Sequence, residues 1–360
     1  MIPKTLAALS MAAGLALASG LAVAASSSCK MVRLAEWPVQ IKHNALIVEG
    51  AINGHKLGVM LDTGAGRTQI MRSAAVQMGL TRQQGKGVRL FGVGGETDVE
   101  ITTIDEFKIG DATRRNWTMI VAGETDLGGD VGVILGEDFF QKVDVEFDLA
   151  HGVVRLYQPR DCSGVSLAYW TKERASEVDL EPVDEARPQI VLTVLVNGRK
   201  VRAMLDSGAA TSVLDKYEAS QAGLTPETQG AVPVGPAYGL GKKSVDSWIG
   251  PIRALTIGDE MIQDTTLHFA DLYKDATFTP GGSRIARKVD ELQPMLIGAD
   301  FLRSHRVLVA HSQRRMYFSY VGGPVFQTAT APPPRSSGPQ PAGSAPPPRS
   351  SAPPQFDFKP

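Results

Sequence analysis

Two aspartates, Asp62 and Asp206, each follow a short apolar run that would bring a carboxylate to the end of a buried strand. A hydroxyl residue and a glycine follow each aspartate. A carboxylate in such a place needs hydrogen-bond donors, and a glycine lets a backbone amide approach it closely. We expect each hydroxyl to bond across to the opposite loop. The residues that support the two aspartates are Thr63, Gly64, Ser207 and Gly208.

The chemistry of these loops depends on whether they face each other. Two carboxyl groups about 3 Å apart cannot both ionise, so Asp62 and Asp206 would share one proton. One group then takes a proton from a trapped water, while the other protonates the substrate carbonyl oxygen. The roles reverse when the amine leaves. We therefore predict that both aspartates are catalytic and that the substrate is a peptide or protein.

The two loops belong to an internal repeat. Asp206 lies 144 residues after Asp62, and Leu224 lies 144 residues after Leu80. A glycine-rich segment, an Ile-Gly-Asp triplet and a pair of aliphatic residues before glycine follow in each half. These matches are Phe91–Gly94 with Tyr238–Gly241, Ile109–Asp111 with Ile257–Asp259, and Gly132–Phe140 with Pro294–Leu302. The repeat predicts two lobes of one design.

Both halves are predicted to be mainly β-structure. Ala45–Ala51 and Ile190–Val196 are rich in β-branched residues, and each leads through an Asn-Gly turn into another apolar run, as in a hairpin. Further short strands are predicted at Val143–Phe147, Val153–Tyr157, Val307–Val309 and Met316–Tyr320. Helices are limited to short pieces, such as Ser73–Met78 and Lys216–Ala222.

These motifs resemble those of the retropepsin-like aspartic proteases. The resemblance rests on Asp-Thr-Gly-Ala at 62–65, Phe-Gly-Val-Gly-Gly at 91–95 and Ile-Leu-Gly before Asp-Phe at 134–139. It covers roughly residues 40–157 and 189–320. It implies an all-β fold of two homologous barrel lobes with pseudo-twofold symmetry, few short helices and an active site at the lobe interface. Because both lobes are in one chain, it also implies a monomer, as in the pepsin-like branch.

The resemblance also assigns roles by position. Asp62 and Asp206 match the catalytic aspartates, and residues 91–95 match the tip of the hairpin, or flap, that covers the substrate. Residues 134–136 and 296–298 match the buried triplets that brace the two loops. The residues implied to contact substrate are Ala65, Ala209, Phe91, Gly92, Val93, Gly94, Gly95, Tyr238, Gly239, Leu240 and Gly241.

The two flap segments differ, because Lys242 and Lys243 stand where the first half has Gly95 and Glu96. We expect the first flap to move as a lid and the second to form a stiffer wall. The lysine pair either contacts acidic substrate residues or belongs to a solvated surface.

Two functional classes remain open from the sequence. The first is an active endopeptidase, and the second is an inactive module of the same fold that binds a peptide or a cell-envelope component. Both Asp loops are intact, which favours the enzyme. Ala65 and Ala209 stand where a hydroxyl could have donated to each carboxylate, so we expect a raised pKa for the pair. This predicts a mildly acidic to near-neutral pH optimum.

The composition excludes several other classes. The 37 basic and 38 acidic residues leave a net charge of −1, which argues against nucleic-acid binding. Two cysteines are too few for a disulfide-rich scaffold or a four-thiolate metal site. The six histidines show no metal-ligand spacing, so we expect neither a metal nor another cofactor.

The remaining segments define the boundaries of the lobes. Residues 1–25 have a basic start, an apolar middle and an Ala-x-Ala end, which predicts a cleaved signal peptide and a periplasmic or secreted protein. An uncleaved membrane anchor is the alternative. The Pro-rich tail is predicted to be disordered, either as a spacer or as a ligand for a proline-binding groove or the cell wall. The predicted divisions are a lead at 26–39, lobe 1 at 40–158, a linker at 159–188, lobe 2 at 189–322 and the tail at 323–360.

The two cysteines, Cys29 and Cys162, fall in the lead and the linker. They either form a disulfide that ties these segments together or remain free thiols. Export to an oxidising compartment favours the disulfide.

Overall fold

A computed structural model describes the main part of the chain. The described residues are 29–85, 90–93, 95–97, 99–123, 131–183, 188–237, 239, 243–272, 277–278, 287–288 and 292–326. The predicted signal peptide and tail residues 327–360 lie outside this set. Across the described residues, every helix is too short or too polar to span a bilayer.

The elements of the first half begin with a strand in the lead. In chain order they are β1 (Lys30–Pro38), β2 (Gln40–Lys42), β3 (Ala45–Ile52), β4 (His55–Leu61), β5 (Gln69–Met71), α1 (Arg72–Gln77), β6 (Gln83–Gln84), β7 (Leu90–Gly92), β8 (Gly95–Thr97), β9 (Glu100–Ile109), β10 (Ala112–Ala122), β11 (Val131–Leu135), α2 (Glu137–Phe140), β12 (Asp144–Asp148) and β13 (Val153–Arg160).

The second half repeats this order with small changes. Its elements are β14 (Ser176–Asp179), β15 (Val191–Val196), β16 (Arg199–Leu205), β17 (Val213–Asp215), α3 (Lys216–Gln221), β18 (Val232–Ala237), β19 (Val245–Ile257), β20 (Glu260–Ala270), β21 (Thr277–Phe278), β22 (Arg287–Lys288), β23 (Met295–Ile297), α4 (Ala299–Ser304), β24 (His305–Ala310) and β25 (Arg315–Tyr320). A 3-10 turn follows β12 at Leu149–His151 and β24 at His311–Gln313.

Each lobe contains a closed barrel. In lobe 1 the strand order is β2-β3-β4-β11-β5-β10-β9-β6, and a pairing between β3 and β9 closes six of these strands. In lobe 2 the order is β15-β16-β23-β17-β20-β19-β18, closed by a pairing between β15 and β19. The predicted all-β fold with two homologous barrel lobes and few short helices is confirmed.

The predicted hairpins form the first two strands of each six-stranded barrel. Asn53 and Gly54 have positive φ angles of 48° and 84°, and Asn197 and Gly198 have φ angles of 50° and 87°. Two consecutive positive φ angles match the twist of paired strands, which explains the Asn-Gly choice. The Asn197 side-chain oxygen also accepts hydrogen bonds from two amides of β19, at 2.8 and 3.2 Å. Each turn is therefore fixed to its own barrel.

A third sheet joins the lobes, with the strand order β1-β13-β12-β24-β25-β14. Its centre is the antiparallel pair of β12 and β24, in which Phe147 lies opposite Val307. The predicted lead supplies edge strand β1, and the predicted linker supplies edge strand β14. These segments were predicted as a lead and a linker, and neither strand was among the predicted elements. Both segments are therefore integral to the sheet between the lobes.

The folded region also extends into the predicted tail. Phe326 is buried and lies against Phe301, with ring centroids 6.3 Å apart. The Val325 carbonyl accepts a hydrogen bond from Thr265 Oγ1 at 3.2 Å. Residues 323–326 therefore pack on lobe 2, because this short stretch contains two apolar side chains that the proline-rich repeats lack.

Candidate active site

Both predicted catalytic aspartates stand where an inner barrel strand ends. Strand β4 runs parallel to β11, and β16 runs parallel to β23. The Asp62 amide donates to the Leu135 carbonyl at 3.0 Å, and the Asp206 amide donates to the Ile297 carbonyl at 2.9 Å. The brace triplets thus hold the start of each loop through a backbone hydrogen bond.

The hydroxyl residues of the two loops cross between the lobes. The Thr63 amide donates to Ser207 Oγ, and the Ser207 amide donates to Thr63 Oγ1, both at 3.0 Å. Each hydroxyl then donates to a carbonyl of the opposite strand, Thr63 to Leu205 at 2.7 Å and Ser207 to Leu61 at 2.9 Å. Both side chains are fully buried. These four bonds fix one loop against the other.

The two carboxyl groups meet between the loops. Asp62 Oδ1 accepts hydrogen bonds from the amides of Gly64 and Ala65, at 2.9 and 3.0 Å. Asp206 Oδ1 accepts from the amides two and three residues after it, both at 3.0 Å. The Asp62 and Asp206 carboxyl groups lie within hydrogen-bonding reach of each other, and each shifts the pKa of the other. A hydrogen bond between two carboxyl groups requires a proton on one of them.

The loop glycines permit this close approach. A Cβ atom on Gly64 would collide with the Asp206 carboxyl group, and one on Gly208 would collide with the Asp62 carboxyl group. Glycine is required here because the opposite side chain occupies the space.

Burial raises the pKa of both carboxyl groups, although each aspartate keeps part of its surface accessible. The pKa of Asp206 lies well above its ordinary value, because the nearby charge of Asp62 adds to the effect of burial. The amide donors oppose this rise in both loops. The pair can therefore keep one shared proton at a higher pH than two solvated carboxyl groups could.

A second pair of polar residues in each lobe supports the brace. The Thr68 amide and hydroxyl donate to Asp138 Oδ1 at 2.8 and 2.7 Å, and the Gly136 amide donates to Thr68 Oγ1 at 3.1 Å. In lobe 2 the Ser212 amide and hydroxyl donate to the two oxygens of Asp300 at 2.8 and 2.7 Å. The sequence analysis gave these residues no role. Their matched positions in the two repeats were the signal that could have identified them.

The first flap reaches across to lobe 2. Gly92 pairs with Gly95, so Val93 lies at the turn between β7 and β8. Val93 packs against an apolar cluster of lobe 2 that includes Met204 and Leu296. A Cβ atom on Gly239 would collide with Val93, so the two predicted flap segments touch.

The other predicted substrate contacts divide into two groups. Ala65 and Ala209 are partly exposed beside the two carboxyl groups. Gly94, Tyr238, Leu240, Gly241 and the Phe91 side chain lie outside the described part of the structure.

The structure places Cys29 and Cys162 in a disulfide, with Cα atoms 4.3 Å apart. This bond ties the start of β1 to the segment after β13. Within the described ranges, no three His, Cys, Asp or Glu side chains form a group suited to a metal ion.

A sequence model of the family described as "Aspartyl protease" matches residues 48–139 and 192–301, more than half of the chain. Each matched region contains one Asp loop and its brace. The chain belongs to the aspartyl protease family. The resemblance to retropepsin-like proteases is thereby confirmed, with two tandem copies of the family unit in this aspartyl protease.

Solved structures similar to this aspartyl protease include an aspartic proteinase from Irpex lacteus. The two share 12% sequence identity with a TM-score of 0.45, and the match covers 82% of this chain and 98% of the other. No curated protein matches the chain significantly.

Proposed function

We propose that this aspartyl protease is an endopeptidase that hydrolyses peptide bonds with water activated between Asp62 and Asp206. The observation that carries the proposal is the close approach of the two carboxyl groups between the paired loops, where burial raises the pKa of both. This is the arrangement that lets one group act as a base while its neighbour acts as an acid.

The two carboxyl groups share one proton at the start of the reaction, and burial raises the pKa of both. In the form that carries this proton on Asp206, Asp62 is ionised and acts first as the base. Asp62 removes a proton from the water as the water oxygen bonds to the substrate carbonyl carbon. Asp206 gives its proton to the carbonyl oxygen, forming a neutral tetrahedral diol.

The second step breaks the carbon–nitrogen bond. Asp62, now protonated, donates its proton to the leaving nitrogen, and Asp206 takes a proton back from a hydroxyl of the diol. The products are a carboxylic acid and an amine, and the pair returns to its starting protonation. No other reactant is needed.

The substrate we propose is an extended peptide held between the first flap and the Asp loops. Apolar groups stand beside both loops, with Met60 and Ile47 in one cluster of lobe 1 and Met204 and Leu296 in one cluster of lobe 2. These clusters favour apolar substrate side chains near the bond that is cut. We propose that one chain suffices, since it supplies both aspartates.

We also propose that the protein is exported to the periplasm or secreted. The sequence of residues 1–25 and the Cys29–Cys162 disulfide support this location. Mass measurement of the protein from an exporting host tests it. Loss of about the first 25 residues is expected, and a full-length protein retained in the cytoplasm contradicts the proposal.

The enzymatic proposal is tested with unfolded protein substrate at about pH 3 to 8. Wild type is compared with Asp62→Asn and Asp206→Asn, which keep the size of each side chain. Each variant is expected to lose at least about a thousandfold in kcat, because the shared proton and the base are both disrupted. If all three proteins leave the substrate equally intact, the endopeptidase proposal fails. Peptide binding without cleavage by wild type would instead favour a binding module.

A further inference from the structure

One row of side chains crosses the outer face of the lobe 2 barrel. Strand register places Met204 beside Leu296, Leu296 beside Val213, Val213 beside His268, and His268 beside Ile249. Residues paired between neighbouring strands point to the same face of a sheet. The five side chains therefore form a continuous row, which we call the lobe 2 row.

The lobe 2 row begins at the catalytic cleft. Met204 is two residues before Asp206, and Met204, Leu296 and Val213 belong to the cluster that contacts Val93 of the first flap. Leu205, which lies between Met204 and Asp206 in sequence, faces the barrel interior and is fully buried. His268 thus lies on the cleft side of the barrel, next to Val213.

His268 is the polar member of the lobe 2 row. Only 8% of its surface is exposed, and its Nε2 atom has no hydrogen-bond partner within the described residues. Burial lowers the pKa of its imidazole, which favours the neutral form. A neutral imidazole offers one donor and one acceptor nitrogen. Because the Nε2 atom is itself buried, a polar group from the cleft would gain its hydrogen bond by entering between the side chains that cover it.

Lobe 1 has different residues in the equivalent row. Its equivalent row, in the same order, is Met60, Ile134, Gln69, Ile120 and Ile101. Ile120 thus occupies the place of His268, and Gln69 occupies the place of Val213. The two halves of the cleft differ in where each carries a polar side chain, so they are suited to different substrate side chains.

We propose that His268 is a specificity-determining residue that binds a carboxamide side chain of the substrate, with glutamine as the best fit. This inference rests on the proposed endopeptidase function. A carboxamide supplies both a donor and an acceptor, so it can pair with either neutral tautomer of the imidazole. The aliphatic stem of glutamine packs on Leu296 and Val213. A charged side chain is disfavoured because the described neighbours in the row are apolar.

The strand register also indicates which substrate residue would contact His268. Val213 separates His268 from Leu296, whereas Met204 and Leu296 lie nearer the catalytic pair. The glutamine therefore lies beyond the residues that flank the cut bond, on the side of the substrate held by lobe 2.

The cleavage test compares peptides that carry glutamine or methionine, which have similar lengths, at each position near the cut bond. Wild type is expected to prefer glutamine at one position by roughly 3- to 10-fold in kcat/KM, the effect of one hydrogen bond. His268→Ile, which copies the lobe 1 residue, is expected to lose this preference and still cut the methionine peptide. His268→Gln restores a hydrogen-bonding group and is expected to recover part of it. Identical glutamine-to-methionine ratios in wild type and His268→Ile overturn the proposal.

A binding test separates this inference from the catalytic one. Peptides with a reduced, uncleavable bond are titrated into Asp62→Asn and into Asp62→Asn with His268→Ile. Tighter binding of the glutamine peptide only when His268 is present, with a shift of its imidazole nitrogen signals, supports the assignment. Equal affinity for both peptides in both proteins rejects it. A wild type that cuts nothing would contradict the proposed function alone, because this binding comparison still decides the role of His268.

Discussion

Gly64 and Gly208 each lie against the aspartate carboxyl group of the opposite lobe. The position of each aspartate therefore depends on a residue from the other repeat. A change in one loop acts first on the carboxyl group of its partner, which makes the two Asp loops a single unit although 144 residues separate them.

The first prediction concerns Gly64→Ala. Its added methyl group would displace the Asp206 carboxyl group, and a misplacement of about 1 Å lowers kcat by roughly 100-fold. Gly66→Ala is the matched control, since the nearest contact of its methyl group would be the flexible end of Gln189 at 3.2 Å. Steady-state kinetics and thermal unfolding of both variants check this. Equal activity of the two variants would contradict the steric argument.

The second prediction concerns the pH–rate profile. The active form carries one proton on the pair, so the rate rises through the lower apparent pKa and falls through the higher one. Burial raises the pKa of both groups, which moves both limbs toward neutral pH. We expect the maximum above about pH 4, and a peak well below this value would refute it.

A variant tests the cause of this shift. Ala65→Ser with Ala209→Ser adds a hydroxyl donor beside each carboxylate, and donors to the charged form lower a pKa. Both limbs of the profile should then move to lower pH, as measured by kcat/KM across the pH range. An unchanged profile would mean that the alanines do not set the pKa of the pair.

Asp62 and Asp206 could be predicted from their local sequence, whereas their supporting carboxylates could be found only by comparing the two repeats. Asp62 is identified by the residues next to it in the chain. Asp138 acts on Thr68 across 70 residues, and only the folded barrel brings the two together. A buried aspartate that follows a strand has no local pattern that distinguishes it from a helix cap.

The brace of each lobe depends on a hydrogen-bonded pair of polar side chains, and the pair in lobe 2 is buried. Asp300 is 3% exposed, and Ser212 is fully buried. Burial also raises the pKa of Asp300, so its hydrogen bonds are what keep the carboxylate form in place.

The third prediction concerns Asp300→Ala. It leaves the amide and hydroxyl of Ser212 without an acceptor, so the free energy of unfolding should fall by roughly 2 to 4 kcal/mol. Asp300→Asn keeps one acceptor oxygen and should lose less. Urea unfolding of both variants measures this. A smaller loss for alanine than for asparagine would show that the brace does not depend on these bonds.

Edge strands β1 and β14 show where prediction of the elements failed. Among the nine residues of β1 one side chain, Trp37, is buried, and the four residues of β14 are exposed or half-buried. Without a buried face there is no alternation of apolar and polar residues to indicate a strand. The inner strands β4 and β16 end in fully buried residues and were recognisable from their apolar runs.

At the scale of the whole molecule, a buried ionisable pair joins the lobes. Glu137 of α2 is fully buried, and His311 of the lobe 2 turn is 8% exposed; Glu137 Oε1 and His311 Nε2 are 3.0 Å apart. Ala299 stands in the position of Glu137 in the second repeat, directly after the brace glycine. Among the described residues, the second repeat therefore has no equivalent of the Glu137–His311 pair.

The fourth prediction is that Glu137 makes stability depend on pH. Burial raises the pKa of Glu137 from 4.5 to about 7, so the folded chain holds this proton more tightly than the unfolded chain. Its contribution is complete below about pH 4.5 and is lost as pH rises through about 7, at up to about 1.4 kcal/mol per pH unit.

Glu137→Gln tests this, because glutamine does not titrate. Urea unfolding at several pH values between about 5 and 7.5 should give a flatter dependence for the variant than for wild type. Asp144 and Asp300 also have a raised pKa, but they are present in both proteins, so their effect on the pH dependence of stability is the same in both. Equal slopes for the two proteins would contradict the assignment.

The Cys29–Cys162 bond has a consequence for self-cleavage by the proposed endopeptidase. It closes the whole of lobe 1 into a covalent ring, with a sequence separation of 133 between the two cysteines. A single cut within that ring opens it without releasing a fragment. Asp62 therefore stays attached to Asp206 after self-cleavage anywhere in lobe 1, and two cuts are required before a piece of this lobe can leave.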